Sequence, residues 1–447
     1  MIDTTRARAL AEEALGFASD AGAEQAEALV VATDGALTRF AGNRIHQNMQ
    51  NEDTEVSVRA VVGTRIGVAS TNRVDPEGLE ACCRAAAEAA RLAPEDPSFP
   101  GLPGPRPTVE ADRVAAGTLG FDAEARAAAA GSLIAATAAA GGVAAGGVAR
   151  DHTVTAVANS LGIHVAMART SVRVTVLATG AAGGTGWASF TGLDAQELDA
   201  AAMGAFAAET ARLSADPIEV DAGTYTVVLA PEAVANIAQF LAWYGCSAKS
   251  VDEGRSFMSG KLGQRVTSPA ITLIDDALRA SAVGLTFDYE GQPKTRVTLI
   301  DAGVAATPVT DSYWAARTGR PNTGHALPAP NAQGPLPLDV AIEPGDATRE
   351  SLIASVRRGI YVTRFHYVNI EDPTRVTLTG MTRNGTFLIE DGVLTRPVKD
   401  LRFTQPALEA LDTTLGVSKQ RQLVGDEGAA LVPYLLLERF TFTGRTA

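Results

Sequence analysis

Cysteine is nearly missing from this 447-residue chain, which has only Cys82, Cys83 and Cys246. An odd, sparse set cannot build a disulfide framework and suits a reducing compartment. Cys82 and Cys83 are read as small core residues. Aromatic residues are also few, at 5% against 46% apolar residues in all, so the cores must be filled by small aliphatic side chains. Bases are outnumbered, with 38 Lys and Arg facing 51 Asp and Glu for a net charge of −13. No run of Lys and Arg supplies the basic patch that a nucleic-acid footprint needs, so no nucleic-acid partner is expected. No stretch approaches the roughly 20 apolar residues of a membrane span. The first twenty residues mix charged and apolar positions without the apolar core of a signal peptide. The expectation is a soluble, cytoplasmic protein with no membrane association. Histidine is scarce too: His46, His152, His164, His325 and His366 are never spaced for one helix face. His152 and His164 flank one hairpin, but pairing about Ser160-Leu161 puts them out of register. Zinc needs three or four convergent ligands, so no metal ligand is assigned to this chain.

The length suits two domains of roughly 200 residues each. The boundary is placed at Asp216-Pro217, giving an N-terminal domain over 1–216 and a C-terminal domain over 217–447. An amphipathic helix carrying Leu10, Ala14, Leu15 and Ala18 opens the chain. From Ala26 to Thr71 the apolar pattern has period two, interrupted at Asp34-Gly35, Gly42-Asn43, Asn51-Glu52-Asp53 and Gly63. That predicts several short antiparallel strands joined by hairpin turns. A helix with Leu79, Cys82, Cys83, Ala86 and Ala90 on one face follows, then six prolines between Pro94 and Pro107. Further predicted are a helix over Ala123 to Ala139, strands over Val148 to Ala158 and Ile163 to Leu177, a hairpin tip at Thr179 to Gly186, and a helix over Gln196 to Arg212. The first domain thus reads as helices on a largely antiparallel sheet. Beyond the boundary, Thr224 to Ala230 reads as a strand, Leu327 to Pro344 as a proline-rich loop and Arg349 to Gly359 as a short helix. Most of the rest reads as strand and turn, with hairpin signals at Asn384-Gly385 and Asp391-Gly392. The class is α+β, with a β-rich antiparallel sandwich or barrel-like second domain carrying a few helices.

Few residues carry recognisable chemistry. There is no GxSxG elbow, and Cys246 has no sequence-local partner, so no catalytic residue is assigned. The cluster Gly180, Gly183, Gly184, Gly186 runs into Trp187 rather than into the GK[ST] of a phosphate loop; it reads as a hairpin tip. Asp288 and Glu290, two apart in a predicted strand, share a face, and Gly291 turns the chain. Paired carboxylates can serve acid–base work, or they can cap a turn and pair with Arg296. His325 stands alone before the proline-rich loop, where it can donate or accept near neutral pH, and loops over a rigid sheet often line binding sites. His325, Asp288 and Glu290 are therefore the candidate substrate-binding residues.

Pro231 to Ser247, PEAVANIAQFLAWYGCS, reads as a helix: Val234, Ile237, Ala238 and Leu241 form one apolar stripe, Pro231 suits its first turn and Gly245 its end. It holds no histidine, and its one carboxylate is Glu232.

Taken together, the chain resembles the TldD/PmbA family, whose members are described both as modulators of DNA gyrase and as metalloproteases. The resemblance rests on Phe40 to Asn48 (FAGNRIHQN), Val58-Arg59, Arg65 to Ala69, Asn159 to Gly162, Ala230-Pro231-Glu232, Phe287 to Gly291, Thr323 to Ala326 and Gly359 to Thr363. It implies an α+β first domain, a β-rich second domain, and small or unfolded peptides as substrates, taken into a cavity between paired subunits. The TldD branch carries HExxxH on the helix after the first strand of the C-terminal domain and a cysteine near the C-terminus. The TldE or PmbA branch lacks those ligands and pairs with TldD. Here the helix has no histidine and Val417 to Gly428 has no cysteine, so the chain is similar to the TldE side. By that resemblance it is the non-metallated subunit of a TldD/TldE-type metalloprotease. It would hold no cofactor itself, with zinc in a TldD-like, HExxxH-bearing partner of a heterodimer. Two other readings fit the same residues: a stand-alone homo-oligomer with metal-free hydrolase activity, and a peptide-binding or scaffold homodimer with no turnover.

Overall fold

The computed structural model describes residues 2–425 and 428–445. The first half contains α1 (Thr4–Asp20), β1 (Gln25–Ala41), β2 (Arg44–Val62), β3 (Arg65–Thr71), α2 (Pro76–Leu92), α3 (Ala116–Leu119), α4 (Ala123–Ala139), β4 (Val143–Asn159), β5 (His164–Thr179), β6 (Thr185–Gly192) and α5 (Ala200–Leu213). Its six strands form one antiparallel sheet in the order β3-β2-β1-β4-β5-β6. Alternation along the strands sends one set of side chains to each face. Ala28, Val30, Ala156 and Ala158 pack under α1 and α2, and Val148, Val174 and Val176 pack under α4 and α5. The opposite face carries Thr33, Thr153, Thr155, Arg169 and Arg173 and looks toward the second half of the chain.

That half contains β7 (Gly223–Leu229), α6 (Pro231–Gly245), α7 (Ala248–Asp252), β8 (Leu273–Asp275), β9 (Val297–Asp301), β10 (Val304–Ala305), α8 (Ser312–Thr318), β11 (Val340–Ile342), α9 (Arg349–Ala354), β12 (Arg358–Asp372), β13 (Thr377–Glu390), β14 (Val393–Pro397), β15 (Leu401–Pro406), α10 (Ala407–Leu411), β16 (Thr414–Val424) and β17 (Ala430–Arg445). Strands β17, β15, β13, β12 and β7 run side by side, and β7 pairs again with β17, closing a ring. Strand β11 leads out of this ring to β8, β9 and β10. The architecture is α+β with a barrel-like second half. Two pairings, β7 with β12 and β11 with β17, are parallel, so the second sheet is mixed rather than purely antiparallel. No helix among the described residues is long and apolar enough to cross a membrane.

Three local expectations are corrected. The chain does not turn at Asp34-Gly35 or at Asn51-Glu52-Asp53; β1 and β2 run straight through both. Strand neighbours on both sides hold Asp34-Gly35 extended, since Asp34 pairs with Glu52 and His152. Asn384-Gly385 is not a hairpin either. Both residues have positive φ, 57° and 124°, and they lie within β13, opposite a register shift between Val362 and Arg364 of β12. The turn chemistry is used there for an in-strand irregularity. The predicted helix after Arg349 stops at Ala354, and the chain is already in β12 from Arg358. Helix α6, by contrast, matches expectation: Val234, Ile237, Ala238 and Leu241 are all buried.

Candidate functional site

A cleft of about 630 Å³ lies between the open face of the first sheet and the second half of the chain. Thr33, Thr153, Thr155, Ser171 and Thr191 supply hydroxyls from the first sheet, while Phe287, Tyr289, Leu327, Leu336 and Trp243 of α6 supply apolar surface opposite. Two of the cleft's cations sit against carboxylates, and a third, Arg169, meets a backbone carbonyl. Arg173 donates to Asp151 at 2.6 Å, and the buried Lys294 pairs with Asp339 at 3.0 Å. Arg169 donates to the Val283 carbonyl at 2.9 Å. Such a surface offers hydroxyl donors and acceptors, aromatic faces and two ion pairs, which suit holding a chain more than breaking a bond.

The turn that carries Asp288 and Glu290 docks the two halves. Phe287 and Leu285 pack with Leu29, Val157, Ile163, Val165 and Met167 of the first sheet. Gly291 has φ +72°, and a Cβ there would come within 2.5 Å of the Ile163 side chain, so both its conformation and its contact exclude a larger residue. Asp288 is buried and does not face the cleft. Its Oδ1 accepts the N–H groups of Glu290 and Gln292 at 3.0 and 2.9 Å, and its Oδ2 accepts that of Ala326 at 2.9 Å. Glu290 faces the other half. Its Oε1 accepts from Arg59 of β2 at 3.2 Å and its Oε2 from the Ser312 N–H at 3.1 Å. The expected partner, Arg296, instead reaches Glu343 at 2.8 Å, because the turn points Glu290 across the joint. Arg59 also holds Glu27 at 2.7 Å. Burial, reinforced by the Glu290 carboxylate, outweighs Arg59 and pushes Glu27 up to about 7. Burial likewise lifts Asp311, at the start of α8, to about 6.

His325 is fully enclosed. One ring nitrogen lies 3.0 Å from Asp275 Oδ1 and the other 3.0 Å from Thr323 Oγ1. Burial alone would lift the Asp275 carboxyl, but His325 and then Lys294 outweigh it and hold it down to about 2. The other Asp275 oxygen accepts the Asp339 N–H at 2.8 Å. Asp275 therefore links the enclosed histidine to the Lys294–Asp339 pair on the cleft wall. Sequence reasoning missed Asp275, Asp339 and Lys294 as a unit, because they come from three separated segments. Its three candidates, His325, Asp288 and Glu290, all stand behind the cleft wall rather than in it.

A zinc ion does not fit the residues of α6. Glu232 is engaged by the Trp187 indole at 3.3 Å and by the Ser189 hydroxyl, and the Arg364 guanidinium covers that indole at 4.0 Å. Cys246, at the helix end, is enclosed and its thiol is pushed upward by burial. Among the described residues no group of three or more His, Cys, Asp or Glu converges as a metal site. His152 and His164 lie far apart in register, opposite Thr170 and Ala158 respectively.

The sequence matches family profiles described as PmbA/TldA metallopeptidase domain 1 over residues 26–90, central domain over 112–215 and C-terminal domain over 222–444. A metalloprotease of Methanothermobacter thermautotrophicus is 25% identical over 202 residues, covering 45% of this chain and 44% of that protein. A metalloprotease TldD homolog of Haemophilus influenzae is 31% identical over 173 residues, 38% of this chain and 35% of that one. The matched stretches thus span less than half the length of these two curated relatives. The crystal structure of TldE from Thermococcus kodakarensis superposes with a TM-score of 0.89 at 20% identity, covering 97% of this chain and 100% of that one. At that identity the likeness establishes the fold.

Proposed function

The chain belongs to the PmbA/TldD metallopeptidase family, and from that membership we propose that it is the non-metallated subunit of a TldD/TldE-type peptidase. In this reading its cleft holds small or unfolded peptides, and an HExxxH-bearing, TldD-like partner brings the zinc, in a heterodimer located in the cytoplasm. The observation that carries the proposal is the side-chain set of α6. The helix occupies the position at which the metal-bearing branch places its ligands, yet here it presents Ala, Ile, Phe, Leu and Trp. Its single carboxylate is spent on Trp187 and Ser189. The threonine-rich cleft supports the peptide-holding part of the reading, since its hydroxyls can meet a backbone without selecting a sequence.

The test is co-purification of the tagged full-length chain from its native cells, followed by peptide cleavage assays with and without added zinc. The expected result is a stoichiometric HExxxH-bearing partner, with cleavage only when both chains are present. Zinc-dependent cleavage by the chain alone would refute the reading. So would recovery of the chain with no such partner.

A further inference from the structure

One cation on the cleft wall has more to donate than the protein takes up. Arg169 of β5 lines the cleft and is half-buried. A guanidinium carries five N–H donors and no acceptor. Among the described residues Arg169 gives one of them, to the Val283 carbonyl at 2.9 Å. Its Nε is buried without a partner, and it forms no ion pair, unlike Arg173 and Lys294 elsewhere in the cleft. The Val283 contact does not account for an arginine here. Arg113, which bridges to Arg169, already holds the same loop through the carbonyls of Ala277, Ala282 and Gly284. Among the described residues the two acids that line the cleft are engaged, Asp151 by Arg173 and Asp339 by Lys294.

The rest of the wall shows the same surplus of donors. The Trp243 indole N–H, from α6, is also buried without an acceptor. The buried unpartnered hydroxyls among the described residues, on Ser214, Ser247 and Thr386, all lie outside the cleft lining. Register sets Arg169 opposite Thr153 of β4, and Thr153 opposite Thr33 of β1, so two hydroxyls stand in a row beside the guanidinium on the open face. A buried donor left without an acceptor costs free energy, and an oxygen-rich anion relieves that cost. The guanidinium fork matches a carboxylate through two parallel N–H···O bonds. We propose that Arg169 is a carboxylate anchor, which holds a peptide in the cleft by its C-terminal or side-chain carboxylate, with Thr153 and Thr33 beside it. This role rests on the cleft's holding peptides, whose anions, when unmodified, are carboxylates. It narrows the ligands from any peptide to those that present an acid at Arg169.

Calorimetric titration of the full-length chain at low ionic strength tests it with three short N-acetylated peptides of alanine and serine. One ends in a free carboxylate, one is its C-terminal amide, and the third is the amide with a single internal glutamate. The wild-type chain is expected to bind at least one acid-bearing peptide about tenfold or more tighter than the neutral amide, as for a hydrogen bond to a charged group. Preference for the first assigns the site to a C-terminus, and preference for the third assigns it to an acidic side chain. Arg169→Gln is expected to abolish the preference while leaving the affinity for the neutral amide unchanged. Arg169→Lys, which keeps the charge and loses the fork, is expected to retain part of it. Equal binding of all three peptides by the wild type would overturn the anchor and leave the peptide-holding cleft intact. So would a preference that survives in R169Q, or a loss in both variants that is the same for all three peptides, as a role confined to holding Val283 requires. Binding of no peptide at all would instead sink the peptide-holding cleft, and the anchor with it.

Discussion

Replacing Arg59 with methionine should destabilise the chain strongly, and by an amount that depends on pH. Methionine keeps much of the apolar stem but removes the only cation among the described residues that touches Glu27 and Glu290. The three side chains are 12%, 5% and 9% exposed respectively, so solvent cannot take over the role of the guanidinium. Removing one partner of a buried ion pair costs about 3–5 kcal/mol. The orphaned carboxyls can escape part of that by binding protons. At pH 8, neutralising a carboxyl whose unfolded value is 4.5 costs about 5 kcal/mol, at 1.36 kcal/mol per unit, whereas at pH 5 it costs under about 1 kcal/mol. In the parent, Glu27 already titrates near 7. A raised carboxyl supports the fold below its unfolded value and loses that support as pH rises through its folded value. The parent therefore already weakens between pH 4.5 and 7, and R59M, whose Glu27 is pushed higher still, should weaken more steeply over a wider range. The expected loss is about 4 kcal/mol at pH 8 and less than about 2 kcal/mol at pH 5. Urea unfolding followed by tryptophan fluorescence at both pH values measures it. A loss under about 1 kcal/mol at pH 8, or the same loss at both pH values, would show that Arg59 does not hold the two carboxylates as the structure indicates.

Two further outcomes follow from geometry. Asp275→Asn should cost about 3 kcal/mol at neutral pH, because it leaves Lys294 and His325 without their shared carboxylate. Since the Asp275 carboxyl is held down to about 2 from 3.8, its support is present above pH 4 and fades as pH falls toward 2. Acid unfolding of the parent should therefore show a slope in that window that D275N lacks. Gly186→Ala should cost about 2–3 kcal/mol by overpacking: a Cβ there would meet the Ala207 carbonyl at 2.0 Å and the Ala211 nitrogen at 2.7 Å, forcing α5 off β6. A thermal melt within about 2 °C of the parent would contradict that packing.

Periodicity revealed much of this fold, and its failures have a common cause. Helices α1, α2, α4 and α6 each bury one stripe, so their 3.6-residue pattern is intact in the sequence. Strand β12 carries no legible period, because Gly359 to Thr363 is buried on both faces and a continuous apolar run alternates with nothing. The breaks expected in β1 and β2 rested on local turn residues that neighbouring strands overrule. The same limit governs the site. Asp288 and Glu290 are two residues apart in the sequence, yet a turn sends one to backbone N–H groups and the other across the joint to Arg59. The pairings that matter, Arg59 with Glu290 and Asp275 with His325, span 231 and 50 residues, and no local rule sees across such a distance. Side-chain chemistry on a single element was the legible part, which is why the change in α6 could be read directly. The cleft, built from threonines of the first sheet facing aromatics on a turn and on α6, exists only once the two halves have docked.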